Sequence, residues 1–297
     1  MKDEVADMRG YVATIGMFDG VHLGHQFVLR RLTGEALQRG LLPLCITFDH
    51  SPRQEPVLTP LDEKLRLIRQ CGVQHVEVLP FTPDLKALSA RQFMEQVLQQ
   101  RLRVQVLLTG YDNRFGHNRE EGFDDYVRYG RQLGIAVLPL PAEGTVSSSA
   151  VRQQLLDGRI AEANNNLGRS YSITGRVVHG EHIGTRLGFP TANIAPEAPL
   201  QLIPANGVYA VTVSSAHPAT GALSSIQKGI MNIGTRPTFG QHDRTLEVHL
   251  LHYHADLYDQ VLTVSFQQRL RAEQHFATPE ALITQLKNDA IKAEQQL

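Results

Sequence analysis

Part-way along the chain the hydrophobic pattern changes period, and with it the kind of fold the residues can build. From Tyr11 to Arg159 the short apolar runs YVATIG, LPLCITF, HVEVLP, QVLLTG and IAVLPL alternate with longer amphipathic stretches, the pattern of strands separated by helices. His25–Arg39, Leu61–Cys71, Ser89–Arg101 and Gly122–Leu133 are the predicted helices, and three of them stop before Gly40, Gly72 and Gly134. Glycine recurs there because it accepts the left-handed conformation that closes a helix. Such alternation builds a mostly parallel sheet with helices on both faces, an α/β layer structure. After about Leu167 helices no longer separate the strands: YSITGRVV, GVYAVTV, KGIMNIG, TLEVHLL and VLTVSFQQRL are rich in β-branched residues and joined by Gly, Pro and Asn. This run predicts a small antiparallel β-barrel, and only ATPEALITQLKNDAIKAEQQL at its end has helical spacing. The three Asn of EANNNLGRS mark the junction, so the expected domains are residues 1–166 and 167–297.

A length of 297 residues suits two domains, and 42% apolar residues supply a core for each. With 29 basic against 30 acidic side chains the net charge is −1, too balanced for non-specific binding of nucleic acid or an anionic membrane. Any phosphate must therefore be held by local geometry. Cys45 and Cys71 cannot build a disulfide framework, and the N-terminus MKDEVADMRG lacks the pattern of a secretory signal. No stretch approaches the roughly 18 apolar residues of a membrane span. A cytoplasmic enzyme is the expectation, with no nucleic-acid or membrane partner; oligomeric state is not legible.

The densest chemistry follows the first strand, where GMFDGVHLGH places Gly16, Phe18, Asp19, Gly20 and Gly24 around His22 and His25. Both imidazoles fall at the start of the next predicted helix, whose unpaired N–H groups and dipole favour a phosphate. Two imidazole donors on one phosphoryl group would stabilise the charge that builds when a nucleophile attacks the α-phosphorus. On spacing alone, a glycine-rich turn with capping histidines, or a metal pair, stays open. VSSSAVR, after the fifth strand, offers Ser147, Ser148 or Ser149 as a helix cap, with Arg152 near the first turns to grip a leaving pyrophosphate. GYDNRFGHNREEG sets Asp112, Asn113, Arg114 and Phe115 at the end of the fourth strand, and TFDHSP leaves Asp49 and His50 at the end of the second. Ligands of open α/β sheets bind at such ends.

In the second half, HGEHIGTRLGFPTANI brings Gly180, Gly184 and Gly188 ahead of Pro190, Thr191 and Asn193. Glycines let backbone amides approach phosphate oxygens, and a Thr hydroxyl with an Asn carboxamide gives oxygen ligands suited to Mg²⁺. Two turns joining strands would read the same way. In TLEVHLL, Leu246, Val248 and Leu250 share one face and Glu247 with His249 the other. If the apolar face fills the barrel, Glu247 points outward, either simply solvated or placed to take the proton of a substrate hydroxyl.

Taken in order, GMFDGVHLGH, TFDHSP, GYDNRFGHNREEG and VSSSAVR, then LGRSY, LGFPTAN, NIGTRPTF, LEVHLL and RLRAEQHF, make the chain closely resemble the bacterial bifunctional riboflavin kinase/FMN adenylyltransferases, the prokaryotic FAD synthetases. The resemblance implies a Rossmann-like nucleotidylyltransferase domain that joins AMP from ATP to FMN, giving FAD and pyrophosphate. It also implies a six-stranded barrel that phosphorylates riboflavin with MgATP, giving FMN and ADP. Carried over by position, His22 and His25 serve the ATP phosphates, Asp112 lies in the adenylyltransferase site with Asp49, Asn113 and Phe115 toward the flavin, and Ser148, Ser149 and Arg152 clamp pyrophosphate. Gly180 and Gly184 border the kinase phosphates, Thr191 and Asn193 are its MgATP ligands, and Glu247 is its base. The chain departs from the common pattern at Asn113, Ser149, Thr185 and Ala272, which puts flavin stacking and kinase ATP affinity in question. Competing readings are a nucleotidylyltransferase for another phosphorylated acceptor and a flavin-binding regulatory relic.

Overall fold

Strand β1, Tyr11–Ile15, has four of its five residues buried, as the middle of a sheet covered on both faces requires. The computed structural model describes residues 10–297 apart from 51–54, 112, 118, 141–145, 181–183, 185–186, 216–224, 239–240 and 254. Around β1 stand β2 (Leu42–Phe48), β3 (His75–Leu79), β4 (Val104–Gly110) and β5 (Ala136–Leu140), in the order β3-β2-β1-β4-β5. All four pairings are parallel. Alternate residues feed two cores. Ala13, Ile15 and Leu107 pack with Phe93, Met94 and Tyr126 on one face; Val12, Cys45 and Val106 pack with Leu29, Leu32 and Ile68 on the other. The sheet changes direction between β1 and β4, and the crevice at the carboxyl ends of those strands is where such sheets hold ligands.

Helix α1 spans Leu23–Arg39 and α2 Leu61–Gln70, close to the predicted bounds. α1 starts two residues before His25 because His22 is its N-cap. α3 (Pro83–Ala87) has no counterpart in the sequence pattern, since five residues are too few to show a period. α4 (Ala90–Gln92) opens with the Ser89/Gln92 capping box and runs on as a π-helical stretch over Phe93–Arg101. α5 covers Phe123–Leu133 and closes at Gly134.

α6 (Ser148–Leu156) and α7 (Ile160–Leu167) lead into β6 (Tyr171–Val178), β7 (Ala192–Pro196), β8 (Gly207–Ser215), β9 (Gln227–Thr238), β10 (Gln241–Leu250) and β11 (Val261–Arg271). These six close into an antiparallel barrel in the order β10-β7-β6-β11-β8-β9. Ile173, Val213, Ile233, Val248, Val264 and Phe266 are buried in it. The residue pattern foresaw five of the strands. β7 escaped it because only Ile194 among its five residues is buried, so no apolar alternation marks it. The terminal helix α8 (Pro279–Gln296) packs Ala293 with Val208, Ala210, Ile230 and Leu251.

By contacts the chain divides into two compact units, Met1–Ser147 and Ser148–Leu297. The second therefore takes in α6 and α7, ahead of the expected boundary at 166/167. Hydrogen bonds tie these helices to the barrel: Asn164 donates to Phe266 O at 2.8 Å and accepts from Tyr171 N–H at 2.7 Å, and Ala205 N–H donates to Leu155 O at 3.0 Å.

Candidate active sites

In the sheet unit the turn after β1 is built from unusual backbone. Phe18 and Val21 have φ of 50° and 40°, and Gly20 has φ 85°, so three of four consecutive residues lie in the left-handed region that side chains disfavour. Asp19 braces the turn, its carboxylate accepting from Leu58 N–H at 2.9 Å and Thr59 N–H at 3.2 Å. Gly16 N–H donates to Ile46 O at 3.1 Å. The turn delivers His22, 4% exposed, to the first turn of α1. There His22 Nδ1 accepts from His25 N–H at 3.3 Å, which puts the ring proton on Nε2. The two rings stack with centroids 3.7 Å apart at 20°, over the glycine at 24, and the Phe18 ring meets His25 edge-on at 5.1 Å.

His25 Nδ1 is buried without a hydrogen-bond partner. Desolvation first, then His22 and the Lys64 ammonium, hold its pKa well below the ordinary imidazole value, so at neutral pH His25 is an uncharged ring. Lys64 itself was missed in the sequence. It is 5% exposed and donates to Phe48 O at 2.8 Å, Thr47 Oγ1 at 3.1 Å and Met17 O at 3.3 Å. Its signal was a charged residue at the i, i+3, i+4 spacing of Lys64, Leu67 and Ile68, on the stripe a helix buries.

Beside this turn lies a cavity of about 650 Å³. Gly16, Phe48, Phe81, Asn113 and Phe115 line it, with Lys86, Arg114 and Arg119 as its cations. Asn113 Nδ2 donates to Ile15 O at 3.0 Å and so ties the segment after β4 to the end of β1. Phe115 is stacked on Tyr126 at 4.1 Å. Asp49 is not among the lining residues; its Oδ1 accepts from Phe81 N–H at 3.1 Å and so holds a wall residue. Asp112 lies outside the described residues. Lys86, which also sits 4.8 Å over the Phe81 ring, was not anticipated.

Ser148 and Ser149 are the first two residues of α6, and Arg152 is its fifth, half-buried.

In the barrel unit, Glu247 and His249 stand on the strand face opposite buried Leu246, Val248 and Leu250, as the alternation predicted. Register sets Glu247 opposite Asn193 of β7 on one side and Asn232 of β9 on the other. Glu247 lines a cavity of about 600 Å³ with Thr191, Asn232, His249 and Arg271. Much of the remaining wall is apolar and comes from 273–279 and the first turns of α8. Thr191 also lines a second cavity of about 370 Å³, bounded by Tyr253, Leu257 and Tyr258. Thr191 immediately precedes β7, and Asn193 is the second residue of that strand. Gly180 and Gly184 make room for them: a Cβ at 180 would collide with the Asn193 carboxamide, and one at 184 would collide with Phe189 O and come within 3.1 Å of Thr191 Oγ1. His249 Nδ1–H donates to Pro190 O at 2.8 Å and fixes this segment. These hard oxygen donors fit Mg²⁺ completed by phosphate and water; among the described residues no cluster of His, Cys, Asp and Glu suits a metal. Arg271 is held by Asp289 of α8, which is fully buried, with Nε and one terminal nitrogen at 2.9 and 2.8 Å, while Gln285 donates to the other carboxylate oxygen at 2.8 Å. Asn232 and His249 were not singled out as site residues because what marks them is cross-strand position, and Asp289 because only the packing of α8 against the barrel brings it to Arg271.

Two family models match separate parts of the chain. The riboflavin kinase family model matches residues 167–297 and the FAD synthetase model residues 4–151. The bifunctional riboflavin kinase/FMN adenylyltransferase of Escherichia coli K12 is 39% identical, covering 98% of this chain and 94% of that one. Its Pseudomonas fluorescens counterpart is also 39% identical, with 96% and 92% covered. That of Listeria monocytogenes is 33% identical, with 97% and 92% covered. The crystal structure of a macrolide-efflux protein from Streptococcus pneumoniae superposes with a TM-score of 0.86 at 27% identity, covering 98% of this chain and 96% of that one.

Proposed function

The chain belongs to the bifunctional riboflavin kinase/FMN adenylyltransferase family, and from that membership we propose how its residues divide the work. It makes FMN from riboflavin and ATP, and FAD from FMN and ATP. The proposal concerns which groups act, and where.

For adenylyl transfer we assign the His22/His25 pair. An FMN phosphate oxygen attacks the α-phosphorus of ATP, the bond to the β-phosphate oxygen breaks, and pyrophosphate leaves. Negative charge grows on the oxygens around the α-phosphorus, and N–H donors already aimed there stabilise it without reorganising. One observation carries the assignment: two stacked imidazoles at a helix N-terminus, with His22 Nδ1 accepting from a backbone amide so that its proton sits on Nε2. The cavity of Phe48, Phe81 and Phe115, with Lys86, Arg114 and Arg119 in its wall, suits an aromatic ring system bearing a phosphate. The pyrophosphate role of Ser148, Ser149 and Arg152 rests on the VSSSAVR motif.

For phosphoryl transfer Glu247 takes the proton of the ribityl hydroxyl as its oxygen attacks the γ-phosphorus, and ADP departs. Thr191, which lines both barrel cavities, lies where a flavin and a nucleotide would meet. ATP-using enzymes of these two families generally use Mg²⁺, which neutralises phosphate charge; Thr191 and Asn193 would hold it here. Among the described residues no helix is long and apolar enough to cross a membrane, and a cytoplasmic location is part of the proposal.

The test is direct. Purified chain incubated with riboflavin and MgATP is sampled over time and its flavins separated by chromatography. FMN should rise first and FAD follow. FMN without FAD, or a different adenylylated acceptor, would count against the assignment of the first domain.

A further inference from the structure

Lys64 is a buried cation that neither constellation uses. α2 lays Lys64, Leu67 and Ile68 against the sheet, and a methionine of similar reach would fill that place without a charge to desolvate. Burial does work against the ammonium, while the carboxylates of Asp19 and Asp49 favour it from beyond its hydrogen-bond shell. Its three N–H groups have three acceptors: Met17 O, Thr47 Oγ1 and Phe48 O. Thr47 Oγ1 in turn donates to Met17 O at 3.1 Å, which closes a triangle between the ends of β1 and β2. With every donor engaged, Lys64 does not reach out to a substrate.

What it grips is the start of the strained turn. Met17 is followed by Phe18 at φ 50°, a conformation a bulky residue keeps only when its surroundings over-determine it. Phe18 in turn presents its ring edge to His25, and His25 stacks on His22. Lys64 therefore connects, through Met17 O and Phe18, to the ring pair. The same cation also disfavours a proton on His25.

We infer that Lys64 is a positioning residue for adenylyl transfer, holding the Met17–Phe18 turn in the form that seats His25 against His22. The inference rests on the assignment of the histidine pair to that reaction.

The experiment uses the full chain and four variants: Lys64→Met, Lys64→Arg, Thr47→Val and His25→Ala. Displacing catalytic groups by about 1 Å costs on the order of a hundredfold. Lys64→Met should therefore lower kcat for FMN adenylylation by about tenfold to a hundredfold, with KM for FMN nearly unchanged. Riboflavin phosphorylation by the same molecules should hold its wild-type rate. Lys64→Arg, which keeps charge and donors, should recover part of the loss. The ring C–H resonances of His25, shifted by stacking on His22, should move in Lys64→Met. Thr47→Val opens the triangle without burying or deleting a charge. It should lower kcat in the same sense by a smaller factor, and it decides the matter if Lys64→Met does not fold. A folded Lys64→Met with wild-type kcat, or a Thr47→Val that changes melting temperature but neither kcat nor the His25 resonances, would overturn the inference. His25→Ala keeps the two ideas apart: if it makes FAD normally, the histidine assignment fails, whatever Lys64 does.

Discussion

The two regions proposed to handle phosphate are built on opposite plans. In the sheet unit the histidine pair and the turn that carries it come from ten consecutive residues, Gly16 to His25, and one helix N-terminus orients them. In the barrel unit Thr191 and Asn193 enter from the β7 segment, Asn232 from β9, Glu247 and His249 from β10, and the outer wall from 273–279 with α8. A contiguous site is held by local backbone and a few braces beneath it. A dispersed site is held by strand register and by whatever fixes the α8 wall, so damage far along the chain can reach it.

The sharpest way to break this comparison is Glu247→Gln, which retains size but removes the base. General-base contributions run to about two to four orders of magnitude, so FMN formation should fall by that factor while added FMN still becomes FAD. Chromatography of both flavins reads the two steps at once, and a parallel loss of FAD formation would show that the sites are not independent. His25→Ala is the mirror test. Loss of a positioned donor costs about 3 kcal/mol in the barrier, near a hundredfold in rate, and FMN should accumulate in its place.

Asp289→Asn probes the dispersed plan from a distance. Removing one partner of a buried ion pair costs about 3 kcal/mol, and Arg271 would lose the group that ties the cavity wall to α8. The barrel transition in a thermal melt should move down, and riboflavin KM should rise more than kcat falls. An unchanged KM would mean that α8 does not shape the riboflavin site. Cutting the chain separates boundary from activity. Fragment 148–297 keeps the Asn164 and Leu155 bonds, each contributing about 1 kcal/mol, and should melt higher than fragment 168–297. Both should phosphorylate riboflavin; if only the longer one does, α6 and α7 belong to the kinase.

The smallest effect is in pH. His25 has a folded pKa below its unfolded value of about 6.5, so its contribution to stability is complete above that pH. As pH falls below about 6.5 the unfolded chain takes the proton first, and the sheet unit should lose at most about 1.4 kcal/mol per pH unit until the folded pKa is passed. In His25→Ala that part of the pH dependence should vanish from denaturant melts.

Most of the sheet unit was legible because its information is local. Apolar runs alternating with amphipathic ones show five strands and their helices, and a histidine pair beside glycines after the first strand shows where an anion would sit. Lys64 was overlooked because a lysine in a helical stretch is ordinarily solvated, and only the packing of α2 turns it inward. In the barrel, the alternation of TLEVHLL placed Glu247 on the outer face, yet the strand beside it went unseen, since β7 buries one residue in five. Asp49, expected at the flavin, holds the cavity-wall residue Phe81 through its backbone N–H, a contact that no local pattern announces.

What the sequence by itself determined is whatever depends on neighbours along the chain: the two folding periods, the glycine-rich turn, the histidines at the start of the helix that follows, the face on which Glu247 lies. The tertiary structure decided what depends on neighbours across it. It closed six strands in an order that sets Glu247 between Asn193 and Asn232, brought Asp289 to Arg271 from 18 residues away, and placed the ammonium of α2 beneath the turn of β1. The reason is physical. Periodicity and caps act over one or two turns of chain, whereas register and buried charge are settled only when separate elements compete for the same core.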